Sequence, residues 1–350
     1  MADSSKSKAV NGIVWTLVER MSIQVCQFVI GIILARLLMP EDYGIIGMLA
    51  IFMALAQSLL DSGFNRALIQ KKDRNDVDYS TVFYFNIVIS VLIYLVFFIA
   101  SPYIAKFYNT PELNDVTKVV SIAVIINALS LVQTAKLTIE LNFRLQSIAS
   151  IISTVLSGLI GIVMAYAGYG VWALVAQSLS SAGIRTMVLW FTSHWKPILV
   201  FSTSSFKQLF SFGSKLLVGD VIHTIYTNMY TLVIGKAFKL ADVGYYNRAN
   251  GYASLPFSVV GQVVNKVMFP LLSEKQDDNE ALVRAYSKMF RLSLFLYAPL
   301  MFGLCALAKP LVVVLIGEKW LGCVALLQVL SIGYVFAPMN SLNLNLLYVK

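Results

Sequence analysis

The chain has 350 residues, 58% of them hydrophobic and 13% charged, with a net charge of +9 and a mean hydropathy of +0.75. So little polar surface cannot cover a water-soluble globule, which places the protein in a bilayer. The cations stand between apolar runs rather than in stripes interleaved with aromatics, which excludes nucleic acid as the partner of this basic chain.

Ten apolar segments are each long enough to cross about 30 Å of hydrocarbon as a helix. They lie near residues 12–38, 43–69, 79–101, 114–138, 145–167, 170–192, 206–234, 243–272, 283–307 and 323–348. The leading MADSSKSK resembles the charged start of a signal peptide. The span behind it, however, contains Glu19 and Arg20, runs too long for a cleavable segment and lacks a small-residue cleavage site. It is therefore predicted to stay as the first transmembrane helix. Within it Arg20, Gln24 and Gln27 recur at i, i+4 and i+7, so they share one face with Glu19 beside it.

The second span adds Gln57, Asp61 and Asn65 at a four-residue period; Asp61 and Arg66, near its end, read as side chains reaching the interface. Asp76-Val77-Asp78, in the short loop that follows, reads as a solvated charge run. Gly168-Tyr169-Gly170 connects the fifth and sixth spans. Residues 192–206, with the mild stretch SHWKPILVFSTSS, read as a linker in which His194 sits at the interface beside Trp195.

The seventh span carries a polar stripe of Asp220, Thr224, Thr227 and Thr231, with His223 and Asn228 at its edges and Lys215 a turn and a half earlier. The eighth places Asn247, Arg248, Asn250 and Ser254 just before Pro256. Leu311 to Ile316 is too short to span and reads as a re-entrant or interfacial piece. Cys26, Cys305 and Cys323 stand alone in apolar stretches, which supports neither a metal site nor a disulfide framework.

The chain also repeats itself. LARLLMPEDYG, Leu34 to Gly44, returns as IGKAFKLADVG, Ile234 to Gly244, each copy closing a span with a cation, Arg36 or Lys236. Ser101-Pro102 finds a counterpart in Lys309-Pro310, and Val119-Val120-Ser121-Ile122 in Val329-Leu330-Ser331-Ile332. Such an echo marks a duplicated multi-helix unit, typical of secondary transporters. The expected domains are residues 1–200, a six-helix bundle, and 201–350, the first four helices of a second. By the repeat, two more helices are expected to follow Lys350.

With the N-terminus inside, seventeen of the 27 Lys and Arg fall on the inner side and eight on the outer, with Arg20 and Lys215 inside spans. That asymmetry predicts a cytoplasmic N-terminus. An ionisable group at membrane depth is costly unless it meets water, a partner or a ligand. The stripes of the first, second, seventh and eighth spans are therefore expected to line a cleft between the halves. The plainer reading is that Glu19 neutralises a cation on a neighbouring helix and that Asp220 pairs with Lys215 or His223. For Arg20, Lys215 and Asp220 the cleft is the better reading, because helices related by the repeat carry charge together.

Three stretches carry a family resemblance: Ser62 to Gln70 (SGFNRALIQ), Leu141 to Arg144 (LNFR) and Gly168 to Gln177 (GYGVWALVAQ). They resemble bacterial polysaccharide transporters, the O-antigen and exopolysaccharide flippases near the colanic-acid exporter type. That type lies within the multidrug, oligosaccharidyl-lipid and polysaccharide exporter superfamily. The resemblance implies an all-α polytopic membrane protein of two repeated six-helix bundles in a V, the second truncated in this chain. It implies an undecaprenyl-diphosphate-linked oligosaccharide repeat unit as substrate, moved to the outer leaflet of the bacterial inner membrane for O-antigen, capsule or exopolysaccharide. By the same analogy, the polymerase and glycosyltransferases of such a pathway are candidate partners.

A diphosphate needs a cationic, hydrated cleft, and the planar fork of Arg suits phosphate oxygens. The candidate substrate contacts are accordingly Arg20, Gln24, Gln27, Lys215, Asn247 and Arg248. No GxxxxGK followed by Ser or Thr occurs, so ATP is not the direct drive and no cofactor is expected. Alternating access coupled to H+ or Na+ is the default, with Asp220, Glu19 and His223 as candidate ion sites. The alternative is a drug or metabolite cation antiporter of the same superfamily, kept open by Glu19, Asp61 and Asp220. A membrane glycosyltransferase or polymerase is rejected: the Asp-x-Asp has no nucleotide-binding domain around it and the outer loops are short, so no enzymatic activity is expected.

Overall fold

The computed structural model describes residues 2–61, 63–71, 73–193, 195–273 and 278–349; among them there are helices and turns and no strand. Seven described segments are long and apolar enough to cross a membrane. They fall in α1 (Ala2–Leu37), α2 (Pro40–Asp61) with α3 (Phe64–Gln70), α4 (Asp76–Tyr108), α5 (Leu113–Val120) with α6 (Ile122–Ile139), α7 (Phe143–Tyr166), α11 (Asn279–Ala306), and α13 (Gly322–Tyr334) with the start of α14 (Ala337–Val349). The chain is thus an all-helical, multi-pass membrane protein. The other three expected spans are also helical: α8 (Val171–Thr192), α9 (Thr203–Ala237) and α10 (Leu240–Ser273). In α8 and α9 polar residues such as Gln177, Arg185, Asp220 and Asn228 dilute the apolar run without breaking the helix.

Three expected spans are interrupted. The second breaks after Asp61, where Gly63 takes a left-handed φ of 70°. The fourth breaks at Ser121, and the last at Val335-Phe336. The short piece at 311–316 is part of α12 (Ala308–Ile316), about 13 Å long at 1.5 Å per residue and far short of the bilayer. Gly317, at φ 96°, ends it.

The repeat has a structural counterpart at its strongest point. α1 stops at Leu37 and α2 starts at Pro40; α9 stops at Ala237 and α10 starts at Leu240. At each elbow the first residue past the helix donates back one turn, Leu38 N to Leu34 O (2.8 Å) and Phe238 N to Ile234 O (2.9 Å). The second echo does not share local structure. α4 runs straight through Pro102, because Ser101 Oγ donates to Phe98 O (2.9 Å), the carbonyl to which proline cannot donate. The other copy has Lys309 in place of that serine, and the helix breaks at Leu307, between α11 and α12.

By packing, the described chain forms two units, residues 1–240 and 241–350. α9 joins the first because it lies on α2, α3 and α4. One end of this unit, here the linker end, is where α2, α6 and α8 finish and α4, α7 and α9 begin. Its core joins Phe64, Leu68, Tyr79, Phe83, Val132, Trp195 and Leu209. The linker is stitched to α4: Trp195 Nε1 donates to Asp76 Oδ1 (3.1 Å), Ile198 N to Ser80 Oγ (3.0 Å) and Ser202 N to Thr81 Oγ1 (3.1 Å). In the expected solvated charge run at 76–78, Asp76 is exposed but Asp78 is a buried cap. Asn75 and Asp78 form a reciprocal capping box at the start of α4, and the fully buried Asp78 receives Lys71 Nζ at 2.7 Å. His194 lies outside the described residues. In the second unit Tyr297, Met301 and Val335 form one core and Leu272, Leu282 and Leu342 another.

Candidate functional site

The polar stripe on α9 exists as a helical face. Ser202 caps the helix by accepting from Ser205 N, and the stripe then recurs at three- and four-residue spacing. Two of its threonines satisfy themselves: Thr224 Oγ1 donates to Asp220 O (2.7 Å) and Thr227 Oγ1 to His223 O (2.9 Å). What remains faces α2 and α3. Thr224 Oγ1 also lies 2.8 Å from Ser58 Oγ, and Asp220 Oδ2 lies 3.5 Å from Arg66 Nη1. Asp61 accepts from Gln57 Nε2 (3.4 Å) and interacts electrostatically with Arg66, Asp220 and Arg185. Two carboxylates and two guanidiniums from α2, α3, α8 and α9 therefore share one neighbourhood near the linker end.

This bears on two readings. Arg66 is largely exposed, as an interface-seeking side chain would be, yet its guanidinium is committed to α9. Asp220 finds a cation on α3. With side-chain exposures of 62% and 40%, the pair is hydrated and contributes no more than ~1 kcal/mol to stability. It can break and re-form without cost to the fold.

Along α9 and its elbow small residues let neighbouring helices approach closely. At the linker end a Cβ on Gly63 would fall 2.6 Å from Gly213 Cα and O. At the elbow end a Cβ on Gly235 would fall 2.8 Å from the Tyr108 ring, and one on Gly44 would fall 2.1 Å from Leu240 O. Lys236 Nζ there donates to Phe107 O and lies 4.6 Å from the centre of the Phe107 ring. The elbow end is thus closed by backbone and aromatic packing; at the linker end hydroxyls and charge lie beside an aromatic cluster in which Phe206 and Phe210 of α9 pack on Phe64.

The other candidates divide among helices. On α1, Arg20 and Gln27 are exposed and Gln24 is half-buried, but α1 packs on α7 whereas α9 packs on α2. Glu19 is engaged by α7, accepting from Ser147 Oγ at 3.0 Å. The α1 and α9 groups are therefore not brought together as one stripe-to-stripe contact. His223 is exposed, and the side chain of Lys215 lies outside the described residues. In the second unit Arg248 interacts electrostatically with Cys323 of α13, Asn247 is half-buried, and Asn250 accepts from Tyr334 Oη at 2.9 Å. No group of His, Cys, Asp and Glu among the described residues could hold a metal ion. Arg185 was missed in sequence, where it counted as an inner-side cation. Its distance from the end of α8, seven residues or about 10 Å of helix, was the available signal.

Comparison with known proteins bears on this arrangement. The family described as polysaccharide biosynthesis protein matches residues 33–325. Succinoglycan biosynthesis transport protein ExoT of Rhizobium meliloti is 29% identical, over 87% of this chain and 62% of that protein. Teichuronic acid biosynthesis protein TuaB of Bacillus subtilis is 28% identical over 99% of this chain and 72% of its own length. Lipopolysaccharide biosynthesis protein WzxC of Escherichia coli is 25% identical over 94% and 67%. The chain thus spans less than two thirds of ExoT. Among solved structures, the fold is similar to that of lipid II flippase MurJ in an inward closed conformation, with TM-score 0.75 at 14% identity over 97% of this chain and 76% of that one. An inward-facing multidrug resistance MATE family transporter follows with TM-score 0.69 at 15% identity, over 97% and 84%. Matched by its family over well more than half of its length, the chain belongs to the polysaccharide biosynthesis protein family.

Proposed function

We propose that the chain belongs to a transporter of lipid-linked oligosaccharides. In this reading it moves a repeat unit on undecaprenyl diphosphate from the cytoplasmic to the outer leaflet of the bacterial inner membrane, for surface polysaccharide such as O-antigen, capsule or exopolysaccharide. The carrying observation is the seam of Arg66, Arg185, Asp61 and Asp220 among otherwise apolar helices. A lipid with a diphosphate head needs cations reachable from water beside a lipid-facing surface. The name of ExoT, a succinoglycan biosynthesis transport protein, and that of MurJ, a lipid II flippase, support the substrate class.

The chain then acts as a transporter and not as an enzyme, with its N-terminus in the cytoplasm. Arg20, Gln24, Gln27, Lys215, Asn247 and Arg248 are its substrate contacts. Glu19, Asp220 and His223 are the groups available for H+ or Na+ coupling. The polymerase and glycosyltransferases of the same pathway are the partners that the reading implies.

Cells lacking the gene are expected to accumulate undecaprenyl diphosphate carrying one complete glycan repeat, seen by mass spectrometry of membrane lipids, and to lose the matching surface polysaccharide. A normal lipid pool with new sensitivity to cationic drugs would replace this reading with the antiporter, which the likeness to a MATE transporter keeps in view. Arg20→Gln and Lys215→Gln should each lower export about 10-fold or more, the worth of one charge-assisted hydrogen bond, with unchanged amounts of protein in the membrane. Normal export by both variants would remove these two from the substrate site. If Asp220 carries the coupling ion, Asp220→Asn should abolish the dependence of transport on pH or sodium; an unchanged dependence assigns coupling elsewhere.

A further inference from the structure

We propose that Arg66 is a latch opened by anion exchange: its guanidinium is held by Asp220 when the linker end of the α2–α9 seam is closed, and a diphosphate displaces that carboxylate. The inference rests on the transporter reading and adds to it a site and a trigger. The pair joins two helices far apart in sequence and stays hydrated, so an incoming anion can reach it. The four charged groups of the cluster sum to zero. Once Asp220 swings away, the Arg66 guanidinium is left to take an anion. Arginine is suited to the exchange because its planar fork accepts a carboxylate or a phosphate in the same geometry.

The neighbouring contacts allow the movement. Beside the ion pair lie Gly63 against Gly213 and the Ser58–Thr224 hydroxyl pair, while the first turns of α9 are anchored by Phe206, Leu209 and Phe210 packed around Phe64. Parting the glycine and hydroxyl contacts exposes groups that water can satisfy, and the aromatic anchor stays packed. At the far end Gly44 against Leu240 and Lys236 on Phe107 are packing contacts with no charge to exchange. α9 would therefore part from α2 between two anchors, its Phe206–Phe210 turns at the linker end and the elbow at the other. Phosphate charge is thus converted into separation of two helices, through differential affinity for the two states.

The hydroxyls of Ser58 and Thr224, 2.8 Å apart, give a direct readout. In the full-length protein, reconstituted in vesicles, a Ser58→Cys/Thr224→Cys pair should oxidise readily to a disulfide. Inorganic pyrophosphate should slow that oxidation about 5-fold or more relative to chloride at equal ionic strength, the lower end of effector coupling. Vesicles containing undecaprenyl diphosphate should do the same. Adding Arg66→Gln should abolish both responses, while Asp220→Asn should leave the pair slow to oxidise even without anion. A rate indifferent to pyrophosphate, or slowed equally in the Arg66→Gln protein, overturns the latch. A response to pyrophosphate with none to the lipid overturns its assignment to a lipid headgroup. Because lipid accumulation in cells lacking the gene is measured separately, the latch can fail while the transporter reading stands, and the reverse.

Discussion

Gly44→Ala is expected to destabilise the protein more than any other single methyl addition among the glycines described, and to do so at the elbow. The added Cβ would fall 2.1 Å from Leu240 O and 3.0 Å from its carbonyl carbon. The obstacle is backbone at the first residue of α10, so no side-chain rotation relieves it. Overpacking of this kind costs about 1–3 kcal/mol even where neighbours can shift. Gly303→Ala on α11 is the control, since nothing lies within 4 Å of its Cβ and alanine is the better helix former. In detergent, the thermal midpoint should fall by several degrees for Gly44→Ala and hold or rise for Gly303→Ala. Equal midpoints would mean that the two elbows do not touch as described.

The elbows were legible because punctuation is local. A cation ending one apolar run and an Asp-x-Gly opening the next specify helix, break, helix without reference to the rest of the chain, and both copies fold that way. Breaks inside apolar runs were not legible. Ser121 lies between Val120 and Ile122, and nothing in that hydropathy marks an end; only packing decides that α5 and α6 part there. At Gly63 the glycine was visible, but its left-handed φ is enforced by close approach to Gly213, 150 residues away. The continuity of α4 through Pro102 depends on one serine hydroxyl, a detail that hydropathy does not carry.

The candidate site divides in the same manner. Helical periodicity identified the stripe on α9, since positions three and four apart must share a face. It could not supply the partner. Arg66 and Arg185 lie within two turns of their helix ends, where a sequence reading assigns cations to the interface, and their meeting with Asp220 and Asp61 is a long-range event. Glu19 was singled out as a charge at depth, yet what engages it is Ser147, a residue with no charge to signal its role. Ionisable residues announce themselves in an apolar span; their partners announce themselves only if they are also charged and also deep.

Lys71→Met should cost far more stability than loss of the Arg66–Asp220 pair, although both remove one ion pair. Asp78 is fully buried and Lys71 only 18% exposed at its side chain, so removing the ammonium strands a carboxylate with no water to receive it. Breaking a buried pair from one side costs about 3–5 kcal/mol, against ~1 kcal/mol or less for the half-exposed pair. Asp78→Asn should be milder, because the amide oxygen can still accept from Asn75 N and Lys71 can turn toward solvent. The double variant should resemble Asp78→Asn rather than the sum of the two, and thermal midpoints of the four proteins measure that coupling. A Lys71→Met protein within ~1 kcal/mol of the parent would mean that Asp78 is not ionised in the fold. The effect should also reach the seam. Lys71 closes α3 one residue after Gln70, and Asp78 opens α4, whose Thr81 hydroxyl accepts from the N–H of Ser202, the cap of α9, so the start of α4 links the helix that carries Arg66 to the helix that carries Asp220. Where Arg66→Gln opens the seam at little cost to stability, Lys71→Met should loosen the frame that holds both helices, lowering thermal stability and Ser58→Cys/Thr224→Cys cross-linking together.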